Sequence, residues 1–230
     1  MHNSLYLTPE SLLRLQQLAS PILPVGSYSY SEGLELLVET SAISNADTLK
    51  DWLIQELKFG SFTIDGAILC RAYRAVESNN WEHLTYWNHW WSAARETHEL
   101  RQQSWKMGQS LIRLLRSIDP TMKPWLDHLE QPTNWTLVFG AAAAHWNIDL
   151  QATLLAYGQS WASNLIGAGV KLIPLGQTAG QQILLELLPT IVTMSDRAMV
   201  IPDTELCSCS WGLALASSQH EEQIVRLFQS

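Results

Sequence analysis

Apolar residues recur along most of this chain at intervals of three and four, which is the spacing of one face of an α-helix. Leu12, Leu15 and Leu18 form the first such stripe, and Thr8 before them is of a residue type that caps helices. Two further helices are expected after cap signals near residues 44 and 149. The remaining helices are predicted over residues 29–40, 62–76, 81–117 (two helices with a break near residue 97), 125–130, 135–146, 177–188 and 190–199.

The sequence lacks runs of β-branched residues with turn signals at hairpin spacing, which strands would need. It also lacks an internal repeat or a low-complexity linker that would divide it. The pattern therefore predicts an all-α fold, a single domain over residues 1–230 built as a bundle of about ten helices. Residues 200–230 lose the helical period, so we expect an irregular, flexible C-terminal tail there.

One stretch, Leu18–Glu35, does not fit a helix and is called the connector below. Pro21 and Pro24 hold their own φ angles and force the preceding residues out of the α region. Ser29 and Glu32 have the Ser-x-x-Glu spacing of a capping box, which predicts a helix start at residue 29. The connector is either a structural brace or a partner surface. Its candidate binding side chains are Tyr28, Tyr30 and Glu32.

Composition narrows the class of protein. The net charge is −8, charged residues are 16% of the chain, and basic residues form no cluster, which argues against nucleic-acid binding and an anionic membrane surface. The first residues lack the pattern of a signal peptide, and no apolar stretch reaches the length of a membrane span. Three cysteines make no disulfide framework, so we expect a cytoplasmic protein. Eleven tryptophans favour packing or partner contacts.

Motifs of phosphate loops, dinucleotide folds, zinc proteases and serine hydrolases are absent from the sequence. The best metal candidate is Cys207-x-Cys209 with His220, because thiolate and imidazole suit nickel, zinc or copper(I). The alternative is a pair of small apolar cysteines, since a zinc spacing usually has a second Cys pair. Asp65 and Arg71 are either a buried polar pair or part of a solvated face.

Near the C-terminus, Ile224, Leu227 and Phe228 fall at i, i+3 and i+4, as on one face of a helix. The stub is too short to be stable alone, so we expect it to order on a partner as a helix in a groove. Arg226 points away from this stripe and is a candidate for a bidentate contact.

Four segments of the chain resemble the urease accessory protein UreF family. They are Ser20 to Glu35, with Ser-Pro-x-Leu-Pro-Val-Gly; Glu99 to Leu111; Trp161 to Gln181, with Lys-Leu-Ile-Pro-Leu-Gly-Gln-Thr; and His220 to Ser230. The segments occur in the family's order and span the chain. Ala179 and Gln229 depart from the pattern, where Asp and Arg are expected, and Cys207 and Cys209 are not part of it.

The resemblance implies an all-α protein that is not an enzyme. It implies a homodimer that binds UreD (also called UreH), recruits the GTPase UreG and docks on apo-urease, handling nickel transiently with no stably bound cofactor. The partner-binding residues that the resemblance and the pattern suggest together are Arg226, Leu227, Phe228, Ile224, His220, Lys171, Gln177, Tyr28, Tyr30 and Glu32. The alternatives are a small Cys/His metal-binding enzyme and a generic helical adaptor.

Overall fold

The computed structural model describes residues 7–207, 211–220 and 226–229. In these ranges the chain forms eleven α-helices and no strand, which confirms the all-α prediction. None of these helices is both long and apolar enough to cross a membrane. The helices are α1 Pro9–Leu18, α2 Leu34–Glu39, α3 Ala46–Phe59, α4 Phe62–Glu77, α5 Trp81–Ala94, α6 His98–Ile118, α7 Lys123–Leu126, α8 Trp135–His145, α9 Leu150–Leu172, α10 Gln177–Val200 and α11 Trp211–His220.

The core is centred on α4, which packs against α8 and is flanked by α5, α9 and α10. Helix α8 is buried from Thr136 to Ala144, because its small side chains let α4 approach closely. A Cβ atom built on Gly140 would lie 2.5 Å from the carbonyl oxygen of Leu69, too close for any other residue. Gly140 and the alanines that follow it therefore permit the close contact between α8 and α4.

Several helix starts follow from the residue before them. Thr8 Oγ1 accepts a hydrogen bond from the backbone N–H of Ser11 at 3.1 Å. Asp149 Oδ1 accepts one from Ala152 at 2.8 Å, and Thr97 caps α6. Thr97 also marks the predicted break between the two helices of residues 81–117. A cap joins residues that are two or three positions apart, so the sequence alone can predict it.

The predicted capping box of Ser29 and Glu32 is wrong. Residues 27–29 form a 3₁₀ turn in which Ser29 Oγ donates to the carbonyl of Gly26 at 2.6 Å, and α2 begins only at Leu34. Glu32 has φ +52° and Gly33 has φ +81°, so the backbone leaves the helical region just before α2. The Glu32 carboxylate bonds to distant residues, described below.

Pro189 does not end a helix, contrary to the sequence prediction. Helix α10 runs without interruption from Gln177 to Val200 with Pro189 inside it. The proline lies on the exposed side of α10, next to Leu185 at 66% exposure. Solvent can therefore satisfy the carbonyl of Leu185 that the missing N–H leaves without an intrahelical partner.

The expectation that residues 200–230 are irregular is also wrong in part, because residues 211–220 form α11. The buried positions of α11 are Leu213, Ala216, Ser217 and His220, at helical spacing. Two of the four are polar, so a search for an apolar stripe misses this helix. Ala216 and the backbone of Ser217 lie over Gly33, where a Cβ atom would be 3.2 Å from both.

Candidate partner-binding face

Glu32 fastens the connector to the helical core. Its Oε1 accepts from Gln103 Nε2 at 3.0 Å and its Oε2 from Trp161 Nε1 at 3.1 Å. Asn164 Nδ2 donates to the carbonyl of Tyr30 at 3.3 Å. Helices α6 and α9 therefore hold the middle of the connector from two sides. Of the two predicted tyrosines, Tyr30 is buried, at 5% exposure, and Tyr28 projects outward, at 68%.

Beneath the connector lies a small polar cavity of about 50 Å³, lined in part by Glu32, Asp65 and Arg95. Asp65 Oδ1 accepts from Trp91 Nε1 at 2.9 Å and from Thr136 Oγ1 at 2.7 Å. Asp65 Oδ2 is 3.7 Å from an Arg95 nitrogen. Burial raises the pKa of Glu32 and of Asp65, and the Arg95 charge opposes both shifts. The site places two carboxyl groups and one guanidinium together in a largely buried cavity.

The hypothesis that Asp65 and Arg71 form a pair is wrong, and so is the alternative that they belong to a solvated face. Both side chains are buried, but they face different partners. Arg71 forms a salt bridge with Asp203 and donates to the carbonyl of Ile201 at 3.1 Å. Arg71 thus ties the segment after α10 to α4, and Asp65 belongs to the cavity.

Residues 226–229, the terminal segment, lie on the connector. Glu35 Oε1 accepts from the backbone N–H of Leu227 at 2.7 Å, and Glu35 Oε2 from that of Phe228 at 3.0 Å. The N–H of Gln229 donates to the carbonyl of Ser29 at 2.8 Å. Phe228 is buried at 5% exposure, whereas Leu227 is 65% exposed. The described part of the predicted helical stub is not helical, and it docks on its own chain.

His220, at the end of α11, lies between two carboxylates. Its Nε2 is 3.3 Å from Glu35 Oε2 and its Nδ1 is 3.2 Å from Glu99 Oε2. The His220 side chain is fully buried, and Arg226 Nη1 donates to Glu99 Oε1 at 2.9 Å. Each ring nitrogen of His220 therefore lies within hydrogen-bond distance of a carboxylate oxygen.

Metal binding was the alternative for His220. Among the residues that the structure describes, no group of three or more His, Cys, Asp or Glu side chains is arranged to hold a metal ion. The ring nitrogens of His220 instead face carboxylates. Cys207 is an exposed free thiol. Cys209 lies outside the described residues, as does Ile224 of the predicted stripe.

The structure brings together three groups of predicted residues that are far apart in sequence. Lys171 Nζ lies 5.5 Å from the centre of the Phe228 ring, and Phe228 is held next to the connector. Lys171 and Tyr28 also line one groove, of about 620 Å³, between α1, the connector and α9. We call Tyr28, Ser29, Lys171 and the terminal segment the composite face. Gln177 is exposed at the start of α10, beyond the turn that ends α9.

Sequence reasoning missed Glu35 and Glu99, the two carboxylates that hold the terminal segment and His220. Glu99 lies in the charged run Glu96–Arg101, which reads as a solvated turn, yet its side chain is only 11% exposed. Glu35 is the last residue of the connector and the second residue of α2. At that position it looks like an ordinary carboxylate in the first turn of a helix. Their partners are more than 100 residues away, so no local signal marks them.

Known proteins match this chain over almost its whole length. The family model described as UreF matches residues 43–188. The chain belongs to the UreF family. It is 54% identical to the urease accessory protein UreF of Nostoc sp. over 224 residues, which is 97% of this chain and 98% of the relative. The UreF proteins of Trichormus variabilis and Synechocystis sp. are 51% and 50% identical, over 99% and 97% of this chain and the full length of each relative.

These matches extend the UreF resemblance beyond the range of the family model. With 97% to 99% of the chain covered, the pairwise matches include the connector, which precedes residue 43. The recognition made from four short segments is therefore confirmed.

Proposed function

We propose that this UreF-family chain is a urease maturation factor with no catalytic activity of its own. It acts in the cytoplasm, as a homodimer, with UreD (UreH) and the GTPase UreG on apo-urease. Nickel is the cargo of that assembly and is held by this chain transiently at most. The names of the curated relatives support the accessory role.

The observation that carries this proposal is the composite face. A docking surface on a folded protein is expected to combine a rigid support with an exposed apolar anchor. Here the connector is fastened by Glu32 to α6 and α9, and Leu227 stands 65% exposed beside it. Lys171 and Tyr28 add an exposed cation and an exposed aromatic ring. The face has the features of a protein interface.

We assign the terminal segment to UreD, with Leu227 as the anchor and Arg226 as a charged neighbour. The turn from Lys171 to Gln177 is assigned to UreG. The groove beside Tyr28 is assigned to the path of nickel between subunits. Each assignment uses a different part of the same region, so each is tested by a different variant.

Co-purification with UreD tests the first assignment. Leu227→Ala is expected to reduce the affinity for UreD by tenfold or more, because hot-spot side chains contribute at least about 2 kcal/mol. Leu185→Ala is the matched control, since Leu185 on α10 is equally exposed, at 66% against 65%. Equal binding by the two variants would contradict the assignment. Deletion of residues 226–230 should abolish UreD binding and leave the helical content intact.

Recruitment of UreG and activation of urease test the remaining assignments. Lys171→Ala is expected to lower UreG recruitment to the preformed complex, measured by size-exclusion chromatography with GTP. Tyr28→Ala is expected to lower urease activation while the complex still assembles. Full activation by both variants would leave Lys171 and Tyr28 without these roles.

A further inference from the structure

We propose that a pocket between α4, α5 and the end of α10 binds a small oxyanion, namely a phosphate or a carboxylate group. The pocket has a volume of about 270 Å³. Its polar side chains are those of Arg71, Arg74, His83, Trp87 and Asp203. It shares no lining residue with the groove beside the connector. Such a site would exist whether or not the chain acts on urease.

The pocket carries an excess of positive charge on a chain that is otherwise acidic. The chain has 14 lysines and arginines against 22 aspartates and glutamates, for a net charge of −8. In the pocket, two guanidinium groups and an imidazole accompany one carboxylate, that of Asp203. Cationic groups that converge on one cavity concentrate anions there. The lining therefore favours an anionic ligand.

The two arginines differ in what they already hold. Arg71 is buried and donates to Asp203 and to the carbonyl group of Ile201. Arg74 is exposed and donates from Nη2 to the carbonyl group of Met199 at 2.9 Å. Within the part of the chain that the structure describes, Arg74 forms no ion pair. A guanidinium carries several N–H donors, so Arg74 keeps donors for a further acceptor.

Trp87 adds a donor that lacks an acceptor. The residue is 1% exposed, and its Nε1 has no hydrogen-bond partner among the described residues. A buried N–H without an acceptor is costly, and native proteins seldom keep one. The guanidinium carbon of Arg71 lies 4.7 Å from the centre of the Trp87 ring, and the His83 ring meets it edge-on at 6.0 Å. The indole is thus fixed among the cationic groups, where an oxyanion would accept its N–H.

The size of the pocket limits the ligand. Sites for drug-sized molecules usually measure about 300–1,000 Å³. A volume of about 270 Å³ therefore suits a small anion or the charged end of a larger molecule. Phosphate and carboxylate oxygens both accept hydrogen bonds from guanidinium, imidazole and indole groups, so the donors define the ligand as an oxyanion.

The first test follows the Trp87 indole by NMR in the full-length protein labelled with ¹⁵N-tryptophan. Inorganic phosphate is the probe, and chloride at equal ionic strength is the reference. The signal that disappears in Trp87→Phe is that of Trp87. We expect a saturable shift of this Nε1–H signal to lower field, because the N–H gains an acceptor. A Trp87 signal that moves with neither phosphate nor acetate would overturn the proposal.

Variants of Arg74 test the role of the exposed cation. Arg74→Gln is expected to weaken phosphate binding at least about tenfold, because a hydrogen bond from a guanidinium to an anion is stronger than one between neutral groups. Arg113→Gln removes the same charge from an exposed position of α6 and is the matched control. Isothermal titration calorimetry with inorganic phosphate measures both. Equal affinities of the two variants would refute the assignment of this pocket.

Asp203 provides a test that a purely structural role of the cluster would not pass. Its carboxylate pairs with Arg71 and repels a second anion, so Asp203→Asn should tighten phosphate binding severalfold. Asparagine keeps an oxygen that can accept from Arg71, and the Asp203 side chain is 64% exposed, so the fold should be retained. Circular dichroism checks the fold. Unchanged or weaker binding by folded Asp203→Asn would contradict an anion site here.

Acetate, titrated in place of phosphate, distinguishes the two sources of the oxyanion. Tighter binding of phosphate would assign the pocket to a phosphate group, and tighter binding of acetate would assign it to a carboxylate. Either result, with the Trp87 signal shifted, supports the proposal. Shifts that do not saturate and that are shared by many indole signals would show a general effect of salt, and they would overturn it.

Discussion

At the scale of single residues, the buried charges under the connector are the least ordinary feature of this protein. Glu32 and Asp65 share a cavity of about 50 Å³ with Arg95. Burial in a medium of low polarity disfavours the ionised form of an acid, and one guanidinium does not fully compensate two carboxyl groups. Both acids therefore keep a raised pKa.

The raised pKa values predict how stability depends on pH. The folded chain holds protons on these acids more tightly than the unfolded chain does. Its free energy of unfolding therefore falls as pH rises from the ordinary range of carboxyl groups through their folded pKa values. Glu32→Gln should make this fall smaller, because it removes one of the two acids. Urea unfolding at several pH values between 5 and 8 measures it.

The control for this prediction is Glu82→Gln, which changes an exposed carboxylate on α5. It should leave the pH dependence as in the unmodified chain. A pH profile of Glu32→Gln that matches the unmodified chain would mean that Glu32 is ionised in the folded state across this range.

Glu32 also shows why part of the candidate site is hidden in the sequence. Its spacing from Ser29 suggests a capping box, but Gln103 and Trp161 provide its hydrogen bonds. These donors, which are distant in sequence, bind the Glu32 carboxylate in place of the backbone N–H that a capping box would use. Tyr28, Lys171, Leu227 and Phe228 are found from the family motifs, but the sequence gives no reason to expect them side by side.

At the scale of secondary structure, local signals predict most helix boundaries. Thr8 and Asp149 cap helices as expected, because each accepts an N–H within its own first turn, and the predicted break near residue 97 is found at Thr97. Prediction fails where tertiary contacts outweigh a local rule. Helix α10 continues through Pro189. The buried face of α11 includes the polar residues Ser217 and His220, so the sequence shows no apolar stripe there.

Pro189 is therefore expected to lower the stability of α10, and its substitution should raise the free energy of unfolding. Proline is about 3 kcal/mol less favourable than alanine inside a helix, although it also restricts the unfolded chain. Pro189→Ala is expected to raise the free energy of unfolding by about 1–2 kcal/mol. Chemical denaturation monitored by circular dichroism provides the measurement.

Pro174→Ala is the matched control for α10. Pro174 is exposed in the turn between α9 and α10, outside both helices. Alanine there should give no gain in stability, and it should lower stability slightly because the unfolded chain becomes more flexible. An equal gain from both substitutions would show that the helical position of Pro189 is not the cause.

At the scale of the whole molecule, we propose that a second copy of the chain packs along the groove beside the connector. Small side chains line its α9 wall at positions 156, 160, 163 and 167, at helical spacing. A Cβ atom on Gly167 would have no neighbour within 4 Å, so the groove is open there. We place the second subunit of the proposed homodimer against this stripe, since small residues permit close helix contact.

Substitution of Gly167 tests that placement. Gly167→Gln should leave the monomer folded and weaken the dimer at least tenfold, because the added side chain would fill the space that the second helix needs. Gly176→Gln is the control, as a Cβ atom there also meets nothing within 4 Å. Sedimentation velocity over a range of concentrations distinguishes the two. A Gly167→Gln dimer of normal stability would place the dimer contact elsewhere.

The hydrogen bond from Gln229 to Ser29 joins two residues that are 200 positions apart. During synthesis the connector leaves the ribosome long before residue 229 does. The composite face is therefore incomplete while the intervening helices are being made. A nascent chain would present the connector without Leu227, so the composite face is complete only after the terminal segment has emerged. The contact between the two segments thus makes the composite face one of the last surfaces of the chain to be completed during synthesis.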